Sequence, residues 1–373
     1  MSEDAHYLIG LMSGTSIDGI DAALINTKQG IFSLSGHHSI DFTAECRNEI
    51  LKLCAPGNNE IQRMGTLDRQ LGEAFARCCN ELLQKFGIPP QKVRAIGSHG
   101  QTIRHHPQGI NGPGFTCQIG DPNTIAELTG ITTVADFRRR DIAAGGEGAP
   151  LVPAFHQAVF TSPTANRAVI NIGGMANISV LQRDGSYSGF DTGPGNVLMD
   201  SWIQEHLNQP YDENGQWSLT GQVDTELLHQ LMNHPFIKAL PPKSTGRETF
   251  NLSFLQDTLA NINTNANAAD VQATLLAFTA QSIAEAVQLH ASDCSEIYIC
   301  GGGANNTALK NSLSEKLPDC SVASTEALGI PPQWVEASAF AWLAQQTLDK
   351  RPGNAPSVTG AKKPVILGGI YCA

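Results

Sequence analysis

The sequence predicts an α/β protein of two domains, and three observations carry the prediction. Short apolar runs suited to strands alternate along the chain with longer runs of helical spacing. Two hairpins of one design, each a short apolar strand, a glycine-containing turn and a second apolar strand, begin at Tyr7 and Ala168, so each would open one half of an internally duplicated protein. The length of 373 residues accommodates two domains of about 150 residues each.

Taken in order, Tyr7–Met12 reads as the first strand, Ser13–Gly19 as a turn, Ile20–Ile25 as the second strand and Ile31–Ile40 as a third. Glu60–Phe86 has helical spacing, with Ile61, Met64, Leu67, Leu71, Phe75, Cys78 and Leu82 on one face. Val93–Gly97 is a buried-strand candidate that ends in Ser98-His99-Gly100-Gln101-Thr102. Asn123–Leu128 is helical, with Asp121 as N-cap and Pro122 as the first helical residue. The charged, glycine- and proline-bearing stretch Asp136–Pro153 is the expected crossing between domains. Domain I then takes residues 1–140 with 350–373 returning to it, and domain II takes 141–349. In the second half, Ala168–Ile172 and Ile178–Leu181 flank the turn Gly173–Asn177. Tyr187–Phe190 runs into Asp191-Thr192-Gly193-Pro194-Gly195-Asn196, and Val197–Ile203 is helical. Residues 234–251 read as an irregular, proline-rich surface excursion, and Asp270–His290 as a long amphipathic helix. Ile297–Cys300 is a strand, Gly301–Gly303 a turn and Ala304–Leu317 a helix. Pro332–Leu348 is a further helix, and Val365–Leu367 a late strand.

Composition removes several function classes. With 41% hydrophobic and 16% charged residues the chain is that of a folded protein. A net charge of −11 argues against non-specific nucleic-acid binding and against docking on an anionic membrane. No basic segment precedes an apolar core at the N-terminus, and no apolar stretch approaches the ~18 residues of a membrane span, so neither a secretory signal nor a membrane anchor is expected. The nine cysteines are scattered and none forms a C-x-x-C pair, which fits thiols in a reducing cytoplasm.

The 36 glycines cluster, and three of the clusters are turns that each follow an apolar strand. Such turns let backbone N–H groups approach an anion with no Cβ in the way. Any one of them is explained as a tight turn, but three in one chain point to a polyphosphate ligand held from several sides. No G-x-x-x-x-G-K-[ST], no G-x-G-x-x-G after the first strand and no protein-kinase motif set is present. In this order the turns resemble the phosphate-1, phosphate-2 and adenosine elements of the actin/Hsp70/sugar-kinase superfamily. Within it the chain resembles the anhydro-N-acetylmuramic acid kinase family. The residues that carry this are LMSGTSIDGIDAAL (Leu11–Leu24), GSHGQT (Gly97–Thr102), Ile119–Pro153, INIGGMANISVL (Ile170–Leu181), GFDTGPGN (Gly189–Asn196) and ICGGGANN (Ile299–Asn306).

The resemblance implies an actin/Hsp70/sugar-kinase-like fold whose two domains close over an ATP cleft. It implies a reaction that opens the 1,6-anhydro bridge of a cell-wall amino sugar with water and moves the ATP γ-phosphate to O6, in peptidoglycan recycling. ATP would bind through Gly14, Thr15, Ser16, Ile17, Asp18, Gly19, Ile20 and Asp21, through Gly173, Gly174 and Asn177, and through Gly301, Gly302, Gly303 and Asn305. Met12 and Asn171 stand where other superfamily members carry a metal-organising Asp, so Mg2+ is expected to be held mainly by nucleotide phosphates and water. A homodimer is expected.

Asp191 is the chosen general base, which takes a proton from the attacking water; by position alone it equally suits a helix cap. Asp18 either contacts the sugar or a metal-bound water, or stabilises its turn, whereas Asp21 by its position only bounds the second strand. His99 either meets a sugar hydroxyl or bonds its own loop. Of Arg138, Arg139 and Arg140, one would meet the lactyl carboxylate, with Arg138 the chosen contact, and a solvated turn is the plain alternative. Glu336 and Asp121 are substrate contacts on the same reading, with a surface helix carboxylate and a helix cap as their alternatives. His99, His105 and His106 lack a zinc spacing. Two other classes fit the sequence less well. A chaperone-like ATPase needs a peptide-binding domain for which this length leaves no room, and a non-catalytic sensor would have no use for Asp191. Among enzymes, the alternative is a conventional sugar kinase acting on a free hydroxyl.

Overall fold

The computed structural model of the chain describes residues 6–373 except 29–31, 110–111 and 248. They form two compact units, residues 6–155 with 334–373, and residues 156–333. In the first, β1 (Tyr7–Ser13), β2 (Gly19–Asn26) and β3 (Ser33–Asp41) form an antiparallel meander. α1 (Ala44–Leu53), α2 (Glu60–Phe86), β4 (Val93–His106), β5 (Phe115–Ile119), α3 (Pro122–Thr129), β6 (Thr133–Ala135) and α4 (Arg139–Ala143) follow. β4 lies parallel to β1, β6 lies parallel to β4, and β5 folds back antiparallel on β4. The unbroken apolar runs of β1 and β2 reflect burial on both faces. Ile9, Leu11, Ile20, Ala22 and Leu24 pack with Leu71, Phe75 and Leu82 of α2, while Leu8, Ala23 and Ile25 face a second core. α2 has its expected span and face, except that Ile61 in its first turn is 85% exposed. Ile31, the expected start of β3, lies outside the described residues.

β4 corrects the reading of a strand that stops at Gly97, because Ser98–Thr102 continue the strand. Their polarity looked like a turn. Inside the sheet His99, Gln101 and Ser98 are instead 5%, 1% and 1% exposed.

The division between units falls within α5 (Val152–Phe160). In the second unit β7 (Arg167–Ile172), β8 (Met175–Leu181) and β9 (Tyr187–Pro194) form another antiparallel meander. α6 (Val197–Leu207), α7 (Thr225–Met232), α8 (Pro235–Lys238), α9 (Leu252–Ala260), α10 (Ala268–His290), β10 (Glu296–Cys300), α11 (Thr307–Lys316) and β11 (Ser321–Ser324) follow. β10 is parallel to β7 and β11 to β10. The order β11-β10-β7-β8-β9 thus repeats β6-β4-β1-β2-β3 of the first unit, so the duplication suggested by two hairpins extends to five strands of each sheet. Ala168, Ile170 and Ile172 of β7 share one core with Leu275, Phe278 and Ile283 of α10. Several boundaries differ from expectation, among them the start of β8, at Met175 inside the expected turn Gly173–Asn177. β9 runs on through Asp191 to Pro194, and the helix after the third glycine turn begins at Thr307, behind a short 3₁₀ turn at Gly302–Asn305.

The chain then adds α12 (Val335–Leu348), α13 (Pro356–Thr359) and β12 (Gly369–Tyr371) to the first unit. α12, which the sequence reading placed in the second domain, buries Ala337, Phe340, Ala341 and Leu343 against Leu8 and Ala95 of the first sheet. Glycine makes this close approach possible. A Cβ on Gly10 would lie 1.7 Å from the carbonyl oxygen of Ala337, and one on Gly97 2.0 Å from that of Phe340. The late strand is β12, antiparallel to β6, not Val365–Leu367. Leu367 is apolar because it fills the core beside α12, where it is 1% exposed.

Candidate active site

In the first unit, the glycine turn between β1 and β2 is tied to β4. Ser13 Oγ lies 2.8 Å from Gly19 O and 2.7 Å from Gln101 Oε1, and Gln101 Nε2 donates to Gly14 O at 3.3 Å. Ile17 is buried at φ +56°, a conformation that β-branched residues rarely adopt, so the turn holds backbone strain. Ile20 is a core residue. Asp18 is exposed and accepts from Ser16 Oγ at 2.8 Å, the turn-stabilising alternative. Asp21 pairs with Met12 in the sheet and accepts from Ser39 Oγ at 2.6 Å. Burial raises its carboxyl above the usual range against the pull of that bond.

Three of the predicted substrate contacts meet in this unit. His99 donates from Nδ1 to Gly100 O at 2.9 Å, and its Nε2 accepts from Arg138 Nε at 3.1 Å and Nη2 at 2.9 Å. Only a neutral imidazole can accept, and burial, then the Arg138 charge, pushes this histidine down to about 3. Arg138 Nη1 donates to Gly148 O at 2.7 Å. Burial lowers its guanidinium to about 10, and the charges of Glu336 and Asp141 oppose that. Glu336, in the first turn of α12, is therefore an electrostatic neighbour of Arg138. Arg139 pairs with Asp136 at 3.2 Å, and both Arg139 and Arg140 are exposed, so Arg138 alone of the triplet turns inward.

The sequence reading missed what fixes Arg138. Fully buried Asp141 accepts from Gly148 N at 2.8 Å, Asn354 Nδ2 at 2.7 Å and Thr359 Oγ1 at 2.8 Å, closing the glycine-rich segment that presents Gly148 O. A charged residue within an apolar-glycine run was the available signal. Asp121 does not join this group. It caps α3, accepting from Asn123 N at 3.0 Å and Thr124 N at 3.1 Å. Burial raises its carboxyl, but bonds from Thr124 and Asn123 outweigh that and lower it.

In the second unit, the carbonyls of Gly173 and Gly174 accept from Gly195, Asn196 and Val197 N–H at 2.9, 2.8 and 3.1 Å, which fastens the second glycine turn to the start of α6. The third turn is tight. A Cβ on Gly301, at φ +77°, would lie 2.4 Å from Asn171 Oδ1, and one on Gly303 2.4 Å from Ile172 Cγ2. Other turn glycines differ. A Cβ on Gly14, Gly173 or Gly302 would meet nothing nearer than 3.8, 3.6 and 3.8 Å, and none of the three has a positive φ. Neither packing nor conformation demands glycine there, so the bare backbone is available to a ligand. Asn305 is exposed beside the third turn.

Asp191 lies in β9, opposite Asn177 of β8, and is 7% exposed. The N-cap position of α6 belongs to Asn196, so Asp191 is not a helix cap. A bulge at Ala176/Asn177 re-aims this edge of the sheet. The excursion after α8 returns along it as a strap. Asp191 N donates to Lys243 O at 3.1 Å, and Asp191 Oδ2 accepts from Thr245 N at 2.9 Å and Ser244 Oγ at 3.3 Å. Lys243 Nζ donates to Phe236 O and Ile237 O, both at 3.1 Å. Burial lowers this ammonium, and Asp191 raises it. The strap sits in the stretch that the sequence reading took for a surface excursion. Its only signal was polarity next to proline. Asn171 is 7% exposed beside Cys300 Sγ at 3.8 Å. Among the described residues no group of three or more His, Cys, Asp or Glu side chains could hold a metal, and no helix is long and apolar enough to cross a membrane.

The sequence matches the anhydro-N-acetylmuramic acid kinase family over residues 6–373. Anhydro-N-acetylmuramic acid kinase of Saccharophagus degradans is 50% identical over 364 residues, covering 97% of this chain and 98% of its own. That of Shewanella pealeana is 50% identical over 370 residues, covering 99% of each chain. Among solved structures, component A of (R)-2-hydroxyglutaryl-CoA dehydratase from Acidaminococcus fermentans aligns over 91% of this chain and 99% of its own. It does so at 11% identity and a TM-score of 0.46.

Proposed function

The chain belongs to the anhydro-N-acetylmuramic acid kinase family and is a kinase. On that premise we propose that it opens 1,6-anhydro-N-acetylmuramic acid with water and phosphorylates O6 from ATP, giving N-acetylmuramic acid 6-phosphate and ADP in cell-wall recycling. The observation that carries the reading is the buried Asp191 carboxylate, held by the Ser244–Thr245 strap at the edge of its sheet.

The chemistry explains why one carboxylate suffices. In the anhydro sugar O6 is bonded to C1 and has no proton for a base to remove. The proton belongs to a water. As the water oxygen bonds to C1, one of its protons passes to Asp191 and the other stays on the new C1 hydroxyl. The C1–O6 bond breaks, O6 bonds to the γ-phosphorus, and the bond from phosphorus to the β-phosphate oxygen breaks to release ADP. The proton on Asp191 leaves to solvent.

Arg138 orients the sugar in this reading. Nε, Nη1 and Nη2 each spend a hydrogen on His99 or Gly148. A guanidinium has five, so two remain for a carboxylate such as the lactyl group. Neutral His99 holds the fork without adding a second positive charge, and Glu336 accepts from sugar hydroxyls. Gly14, Gly173 and Gly302 mark the backbone that approaches the nucleotide, with Asp18 and Asn305 beside it. Bound Mg2+ would offset phosphate charge, carried by phosphate and water oxygens. A homodimer and a cytoplasmic setting belong to the same reading.

The direct test is turnover. The protein is incubated with ATP and either the anhydro sugar or the free amino sugar, and the products are followed by mass spectrometry. ADP and a sugar phosphate formed from the anhydro sugar support the reading. Phosphorylation of the free sugar alone supports the conventional kinase instead. Asp191→Asn keeps the shape and loses the base, so kcat should fall by ~10² or more while sugar affinity holds.

A further inference from the structure

Two polar atoms beside Asp191 are buried with no hydrogen-bond partner among the described residues, Asn177 Oδ1 and Thr245 Oγ1. Both adjoin the carboxylate. Asn177 is the cross-strand partner of Asp191, which puts the two side chains on one face with Cβ atoms about 5 Å apart. Thr245 gives its main-chain N–H to Asp191 Oδ2 at 2.9 Å, so its hydroxyl stands at the margin of the same carboxylate. Buried polar atoms are rarely left unbonded, and two at one carboxylate call for a common polar ligand small enough to sit among them.

We infer that Asp191, Asn177 and Thr245 together cradle the attacking water. The inference rests on the ring-opening reading above. It gives Asn177 a role other than the nucleotide contact expected from the family resemblance. The donor and acceptor types match a water completely. A carboxylate and an amide oxygen can only accept, so each takes one of the water's hydrogens. The Thr245 hydroxyl donates to one lone pair. One lone pair remains, and it is the nucleophile for C1. The hydrogen on Asp191 transfers as the O–C1 bond forms, and the hydrogen on Asn177 stays with the C1 hydroxyl. Methanol cannot occupy this cradle, because its methyl group would replace the hydrogen that Asn177 accepts.

The test uses the full chain with ATP and the anhydro sugar in buffer containing methanol. It measures kcat, both KM values and the ratio of methyl glycoside 6-phosphate to reducing sugar 6-phosphate. The parent protein should give the reducing product alone. Asn177→Ala should lower kcat by about 10²-fold, leave both KM values near parental, and produce methyl glycoside because the freed space admits the methyl group. Thr245→Val, which keeps the side-chain shape, should lower kcat by about tenfold, and Thr245→Ser should restore it. Methyl glycoside from the parent, parental kcat in Asn177→Ala, or a loss in that variant confined to the KM of ATP or sugar overturns the inference. If Asn177→Ala does not fold, parental kcat in Thr245→Val overturns it. The underlying reading fails separately, by absence of solvent oxygen at C1 in the parent's own product.

Discussion

At the scale of single residues, glycine has two uses in the three turns, and substitution separates them. Gly301 is required by the protein, since its φ is +77° and Asn171 Oδ1 blocks a Cβ at 2.4 Å. Gly302, one residue on, has an ordinary φ and space around it. Gly302→Val should therefore leave thermal unfolding within a few degrees of the parent while weakening ATP at least about tenfold by calorimetry. Gly301→Val should unfold the turn. Tight ATP binding by a folded Gly302→Val protein would remove the third turn from the nucleotide site. The sequence made such clusters visible but could not sort their members, because a glycine that packs and a glycine that admits a ligand are the same letter. The sequence singles out Asp191 through its motif but not Thr245, because only a fold that returns Thr245 to β9 brings it to that carboxylate.

At the scale of elements, α12 rests on β1 and β4 only because Gly10 and Gly97 lack side chains. Gly97→Ala places a methyl group 2.0 Å from the Phe340 carbonyl, so the helix must lift, and Glu336 in its first turn moves with it. Overpacking of this kind costs about 1–3 kcal/mol. Urea denaturation should show that loss, and sugar KM should rise more than ATP KM. The elements most legible in the sequence were those whose apolar spacing is dictated by a core, such as α2, β1, β2 and α10. The least legible were β4 beyond Gly97, β9 at Asp191 and the strap. There polar residues are held in or against a sheet by bonds to residues distant in sequence, Ser13 to Gln101 and Thr245 N to Asp191, so local pattern reads them as turn or surface.

At the scale of the whole molecule, each unit repeats one five-strand plan, and each buries neutral histidine. Burial holds His156 at about 3, burial with Arg138 holds His99 at about 3, and burial with Arg138 and His106 holds His105 at about 4. An unfolded histidine titrates near 6.5, so between these values the unfolded chain binds protons that the folded chain does not, and stability falls as pH falls from about 6.5 toward 4. Asp200, raised by burial to about 7, runs the other way, so the histidine contribution is read from a variant. His156→Gln should lose less stability than the parent between pH 7 and pH 5, by about 2 kcal/mol. Parallel urea curves for the two proteins would contradict a neutral buried His156. Asp191 belongs to the second unit and the His99–Arg138 pair to the first. The central claim is that Asp191 directs water to C1 while O6 takes the phosphoryl group, and isotope tracing tests it most directly. Turnover of the anhydro sugar with ATP is run in ¹⁸O-water, and the product is fragmented by mass spectrometry. The account predicts ¹⁸O at C1 and none in the transferred phosphoryl group, with product formation nearly abolished in Asp191→Asn. Label in the phosphoryl group, or undiminished C1 labelling by Asp191→Asn, would contradict it.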